Sequence, residues 1–178
     1  MIKLNQIKHY LQLIRFFNPI GTYLLLWPSL WSLWLSTQHA PSIQQVIVFV
    51  LGAFFMRSAG CIMNDYTDRQ FDGHVLRTKN RPLATGQVNK REVIILLIIL
   101  LGLAAVLLFF VNPLTRYLAL SALACSIIYP WMKRYTHWPQ AILGLAFSHT
   151  IAMAWAAQTN AITYITGWLM LGTVCWII

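Results

Sequence analysis

Six apolar stretches, at about 17–37, 43–63, 92–111, 114–131, 138–157 and 162–178, follow one another along the chain with few charges inside them. Each approaches twenty residues, the length of helix that crosses a hydrocarbon core roughly 30 Å thick. Turn-forming residues fall between them: Ala40-Pro41-Ser42, Asn112-Pro113, His137-Trp138-Pro139 and Thr159-Asn160. Lipid offers backbone amides no partner, so the pattern predicts an all-α fold class, a polytopic transmembrane helical bundle of about six spans. No soluble domain, low-complexity tract or long linker interrupts it, and residues 1–178 read as a single domain.

Composition agrees with this reading. The chain is 58% hydrophobic and only 10% charged, with a mean hydropathy of +0.63. Lys3, Lys8 and Arg15 precede a long apolar stretch that holds Pro19, Pro28 and several tryptophans without a small-residue cleavage site, so no cleaved signal peptide is expected. Cys61, Cys125 and Cys175 are scattered in apolar sequence and read as small core residues, not as a disulfide frame or a metal site.

Charge orients the bundle. Alternating spans place the N-terminal segment, the 64–91 loop and the 132–137 loop on one side. Together with Arg57 they hold Lys3, Lys8, Arg15, Arg57, Arg69, Arg77, Lys79, Arg81, Lys90, Arg91, Lys133 and Arg134, twelve of the thirteen basic residues, and only Arg116 falls opposite. The positive-inside bias makes this face cytoplasmic. It also accounts for the net charge of +9 without any nucleic acid.

Three of the four acidic residues share one window, Asn64-Asp65-Tyr66-Thr67-Asp68-Arg69-Gln70-Phe71-Asp72, where the second span meets that loop. Acids this scarce in an apolar chain are expected to serve a function. If the helix continues through the window, Asn64, Asp68 and Asp72 stand at i, i+4 and i+8 with Asp65 one step round, and Gly73 is a plausible stop. Converging carboxylates repel one another unless a cation joins them, and such oxygen ligands suit Mg²⁺, which completes its shell with water and substrate phosphates. Arg77, Lys79 and Arg81, with Lys133 and Arg134, would grip the remaining phosphate oxygens. Orientation alone would explain most of those basic residues. The spacing of Asp65, Asp68 and Gly73 excludes an EF-hand.

Asn64 to Asp72 resembles the NDxxDxxxD motif of the UbiA superfamily of intramembrane prenyltransferases, and the surrounding text is similar to its bacterial members that act on 4-hydroxybenzoate. The likeness is carried by Asn18-Pro19-Ile20-Gly21 and Leu26-Trp27-Pro28 within 8–34, by Met56-Arg57-Ser58-Ala59-Gly60-Cys61, and by Phe71-Asp72-Gly73-His74-Val75. Arg77-Thr78-Lys79-Asn80-Arg81-Pro82-Leu83 and the run from Tyr129 to His137 extend it through nearly the whole chain, in order.

The resemblance implies a nine-helix bundle in a bacterial inner membrane whose cavity takes a polyprenyl diphosphate and 4-hydroxybenzoate. It implies Mg²⁺-dependent transfer of the polyprenyl group to the ring carbon ortho to the hydroxyl, a step of ubiquinone biosynthesis. Carried over by matching position, Asp68 and Asp72 become the principal metal and diphosphate residues, with Asn64 and Asp65 beside them. Arg134 resembles the arginine proposed to hold the benzoate carboxylate. Arg57, Arg77, Arg81 and Lys133 are second-rank phosphate candidates, and Tyr129 fits a substrate contact or an interfacial belt.

The resemblance also implies a second motif of type DxxxD on a later loop, yet no acidic residue follows Glu92. We therefore expect a C-terminally truncated domain that would not be a competent enzyme by itself. A non-catalytic membrane protein that binds lipid diphosphate, or acts as a scaffold, is the alternative from another class, and another aromatic acceptor is the alternative within the family. A transporter would need ionisable groups near mid-bilayer, and the CDP-alcohol phosphatidyltransferase pattern does not follow Asp72. Among the remaining polar residues, His149 beside Ser148 is expected to make an interhelical hydrogen bond, with lining of the cavity toward the substrate carboxylate as the alternative. Trp27, Trp31 and Trp34 share one helix face that could meet either lipid or the bundle interior.

Overall fold

A computed structural model describes residues 4–37, 39–72, 76 and 78–178, with the side chains of Leu4, Asn5, Gln70, Phe71, Lys133 and Arg134 outside that description. The described residues form seven α-helices and no strand. These are α1 (Leu4–Leu13), α2 (Ile20–Leu35), α3 (Ile43–Asp72), α4 (Lys90–Leu107), α5 (Pro113–Tyr135), α6 (Pro139–Thr159) and α7 (Tyr164–Ile177), with a 3-10 turn, Leu108–Phe110, closing α4. A helix stands at each of the six apolar stretches. Three helical segments among the described residues, Ile43–Arg69, Lys90–Phe110 and Pro139–Thr159, are long and apolar enough to cross a bilayer by length and composition, while α7 is apolar but shorter. The protein is an integral membrane protein.

The chain divides into two compact units, Met1–Thr22 with Phe54–Ala104, and Tyr23–Ala53 with Ala105–Ile178. The first is built on a cluster of Leu13, Ala59, Ile62, Leu83, Val88, Val93 and Leu100, with Tyr10, Ile14, Tyr66 and Leu97 packed against it. Helix α1 was not foreseen in the sequence. It is too short and too polar for a hydropathy window, and a helix of this length is marginal unless it buries a face. Leu13 supplies that face and is fully buried. Because Leu83 and Val88 belong to the same cluster, the loop after α3 is pinned to the unit's core. The amide of Arg81 donates to the Thr78 carbonyl at 3.0 Å and that of Thr85 to the Arg81 carbonyl at 3.0 Å, with Gly86 supplying a left-handed turn at φ 73°.

In the second unit α6 packs on α5 and on α7. Small residues run through its buried face, among them Gly144, Ala146, Ser148, Ala152, Ala154 and Ala156. Such residues let helix backbones approach where no hydrophobic effect drives them together. A Cβ added to Gly144 would stand 3.1 Å from the Val174 Cα. Carbonyls of α6 accept side-chain hydrogen bonds from other helices of this unit: Ser32 Oγ reaches Ile151 at 2.8 Å, and Thr115 Oγ1 reaches Met153 at 3.3 Å. Asn112 caps α5 by accepting from the Thr115 amide at 2.9 Å, and Thr163 with Thr166 forms a capping box for α7. Arg116 Nε donates to the carbonyls of Leu108 at 2.9 Å and Val111 at 3.1 Å, acceptors left by the end of the preceding helix.

Two expectations need correcting. His149 makes no interhelical bond among the described contacts; its Nδ1 lies 2.7 Å from the Leu145 carbonyl one turn back on α6, the partner that helical geometry brings nearest. Of the cysteines only Cys61 is a buried core residue, since Cys125 is half-buried and Cys175 exposed, so apolar flanks did not imply burial. The Trp27, Trp31 and Trp34 face is about half exposed, and Trp31 stacks on Trp176 with ring centroids 6.4 Å apart.

Candidate functional site

Helix α3 runs unbroken through the aspartate window and ends at Asp72. Asn64, Asp68 and Asp72 therefore share one face of its last turns. Thr78 Oγ1 donates to the Asp72 carbonyl at 3.0 Å and so satisfies one of the acceptors that a helix end leaves open. A carboxylate at a helix C-terminus is disfavoured by the helix dipole, and basic residues near Asp72 offset this. Arg69 lies in the last turn, and Arg81 reaches back from the loop.

The acids differ in their surroundings. Asp65 is 1% exposed, and both its oxygens accept from Arg15 Nη2, at 2.9 Å for Oδ1 and 3.1 Å for Oδ2. Arg81 Nη1 also lies 3.1 Å from Asp65 Oδ1 and donates to Asp72 Oδ2 at 2.7 Å. One guanidinium nitrogen thus joins two buried carboxylates, and charges alternate along Arg15, Asp65, Arg81 and Asp72. Burial of an ion within a membrane-length helix is tolerable only with such pairing. Asn64 and Asp68 are half-buried.

Arg69 stands at i+4 from Asp65 yet does not pair with it among the described contacts. Its Nη1 donates to the Tyr66 carbonyl at 2.6 Å, and its guanidinium carbon lies 4.5 Å over the Tyr66 ring. Arg57, one helical turn before Cys61, packs its guanidinium against Gly21. A cavity of 360 Å³ lined by Arg69, Leu83, Gly86, Val88, Asn89 and Lys90 lies in the same unit, but none of the acids lines it.

Arg77 and Gly73 lie outside the described residues, as do the side chains of Lys133 and Arg134. Tyr129, Lys133 and Arg134 belong to the last turns of α5 in the second unit, where Tyr129 is half-buried. The first unit brings together Asp65, Asp72 and Arg81 from the sequence-derived set, and adds Arg15. The sequence marked Arg15 only as one positive charge among twelve, and fifty positions separate it from its carboxylate. The usable signal was indirect: Asp65 is an acid that faces the interior and must have a cation somewhere.

Among the described residues no three His, Cys, Asp or Glu side chains gather into a ready metal centre. The donors on the Asn64–Asp68–Asp72 face are all oxygens, two carboxylates and an amide. So sparse a set fits Mg²⁺, which keeps water and phosphate in its shell, and does not fit a cation that asks for imidazole or thiolate. Asp65 fits less well, because arginine already holds both of its oxygens.

The UbiA prenyltransferase family profile matches residues 25–178. The chain is 50% identical over 177 residues to the 4-hydroxybenzoate octaprenyltransferase of Hydrogenovibrio crunogenus, an alignment covering 99% of this chain and 62% of that protein. It is 50% identical over 167 residues to the enzyme of the same name from Alkalilimnicola ehrlichii, covering 94% of this chain and 57% of that one. The chain thus spans less than two thirds of the length of these curated relatives. Among solved structures it superposes on one described for digeranylgeranylglyceryl phosphate synthase, with a TM-score of 0.81 at 23% identity, over 98% of this chain and 60% of the other. A UbiA homologue from Archaeoglobus fulgidus bound to GPP and Mg²⁺ gives a TM-score of 0.75 at 19% identity, over 96% of this chain and 61% of that chain. At these identities the superpositions establish the fold.

Proposed function

The chain belongs to the UbiA prenyltransferase family, and on that premise we propose that it carries the diphosphate-binding part of a polyprenyltransferase acting on 4-hydroxybenzoate. The observation that carries this reading is the unbroken course of α3 through Asn64, Asp68 and Asp72, which turns three oxygen donors to one side beside Arg81. The substrates are a polyprenyl diphosphate and 4-hydroxybenzoate, and the reaction joins the prenyl carbon to the ring carbon ortho to the hydroxyl, as ubiquinone biosynthesis requires. The relatives' printed names support this choice of acceptor.

Asp68 and Asp72 would hold Mg²⁺, with Asn64 beside them. The bound cation would supply positive charge where the leaving diphosphate accumulates negative charge. The chain's own part is to bind and orient. Arg81 has its guanidinium at the same end of α3, and Arg57, Arg77 and Lys133 are further donors for phosphate oxygens. Arg134 is assigned to the benzoate carboxylate and Tyr129 to the substrate or the interface. A site closed to water would protect the prenyl group from hydrolysis. Excess Lys and Arg near the site supports a cytoplasmic orientation in a bacterial inner membrane.

The test is magnesium-dependent transfer of a labelled polyprenyl group to 4-hydroxybenzoate in membranes free of host enzyme, by a full-length relative whose matching part is replaced with residues 1–178, with Asp68→Asn as control. Product that disappears in the control supports the assignment. Equal product from Asp68→Asn overturns it.

A further inference from the structure

We propose that Arg15 is a positioning residue for the end of α3, acting on Asp72 through Asp65 and Arg81, and that Asp65 is the pivot of this relay and not a metal ligand. The inference rests on the reading of Asp72 as a metal and diphosphate residue.

Asp65 is positioned like a ligand in sequence and unlike one in space. It is 1% exposed, its Oδ1 meets both Arg15 Nη2 at 2.9 Å and Arg81 Nη1 at 3.1 Å, and its Oδ2 meets Arg15 at 3.1 Å. A metal would have to displace at least one guanidinium from a site that water does not reach. Asp72 meets Arg81 through Oδ2 at 2.7 Å, a contact that does not use Oδ1. Arg81 therefore fixes the plane of the Asp72 carboxylate, and Asp65 fixes Arg81. Carboxylates that serve metals are commonly held this way by hydrogen-bonded neighbours.

Arg15 completes the relay at a cost in backbone conformation. Its φ is 58°, in the left-handed region that non-glycine residues seldom occupy. The turn is locked by hydrogen bonds from the Arg15 amide to the Gln12 carbonyl at 3.1 Å, from Phe16 to Leu11 at 3.0 Å and from Asn18 to Arg15 at 3.0 Å. The first two are the 5→2 and 6→1 bonds of a Schellman motif that ends α1 with Arg15 at C′, a place where a left-handed residue is usual. Here α1 is anchored by buried Leu13, and the side chain from the turn ends on Asp65.

The experiment is Mn²⁺ binding, read by electron paramagnetic resonance, to the 178-residue chain in lipid nanodiscs with inorganic diphosphate present. Arg15→Lys keeps the charge and loses the fork, while Asp65→Asn keeps the shape and loses the charge. Each is expected to weaken Mn²⁺ binding by about 10- to 100-fold, short of the loss in Asp72→Asn. Arg15→Lys added to Asp65→Asn is expected to weaken it no further, because both act through one route. A merely structural role would lower thermal stability while leaving the affinity of the folded protein unchanged, and that result overturns the relay. So does a loss in Asp65→Asn equal to that in Asp72→Asn, which would make Asp65 a ligand, or full additivity in the double variant. If the parent chain binds no Mn²⁺, or Asp72→Asn binds like the parent, the metal reading itself fails and the relay fails with it.

Discussion

The guanidinium of Arg57 occupies the space that a side chain at Gly21 would need. A Cβ built on Gly21 would stand 2.7 Å from the Arg57 Cζ and closer still to Nε. Glycine here is a matter of room for a cation, since the position lies in α2 with ordinary helical backbone.

Gly21→Ala should therefore move Arg57 and little else. The obstructing atoms are the far end of a flexible side chain, so the overpacking cost is expected to be offset by the gain in helix propensity, about 1 kcal/mol for alanine over glycine. Binding of inorganic diphosphate, followed by titration calorimetry, is expected to weaken severalfold. Unchanged affinity would separate Arg57 from the diphosphate site.

Gly144→Ala tests the opposite situation. The nearest atoms are the Val174 Cα at 3.1 Å and its carbonyl oxygen at 3.3 Å, and backbone on a packed helix cannot swing away. Overpacking of this kind costs typically 1–3 kcal/mol. Unfolding in mixed micelles should show that loss, and parental stability would mean that α7 yields at this contact.

Ser32→Ala removes the buried hydrogen bond to the Ile151 carbonyl. Interhelical bonds in lipid average about 0.6 kcal/mol, because the separated helices find other partners. The same unfolding assay should register a loss of about that size, smaller than for Gly144→Ala. A loss above about 2 kcal/mol would show that Ser32 does more than make this bond.

Thr78→Val keeps the side-chain shape and deletes the donor to the Asp72 carbonyl. The expected cost is about 1 kcal/mol, concentrated at the end of α3. Hydrogen exchange should rise at residues 69–72 and stay level in α6. Even protection across α3 would show that the loop's apolar anchors, Leu83 and Val88, hold it unaided.

The apolar stretches carried the fold and its class. Their lengths marked each helix from α2 to α7, and the four-residue spacing of Asn64, Asp68 and Asp72 set them on one face as soon as the helix ran through them. Local periodicity reached no further. It missed α1, whose ten residues are stabilised by burial of Leu13 and not by their own hydropathy. It set Asp65 one step round from the face of Asn64, Asp68 and Asp72 and named no partner for it. In the folded chain Arg69 turns to Tyr66, and Asp65 takes partners from positions 15 and 81.

By itself the sequence determined that this is a helical membrane protein that resembles the UbiA family, with three of its four acids gathered at one end of one helix. The helices and the shared face depend on transfer to lipid and on helical repeat, both of which act over a few residues, while the family is carried by the motifs themselves. The tertiary structure decided which arginines hold Asp65 and Asp72. That choice depends on Leu13, Leu83 and Val88 packing into one core, which carries Arg15 and Arg81 to the same carboxylate, and no local pattern encodes such a meeting.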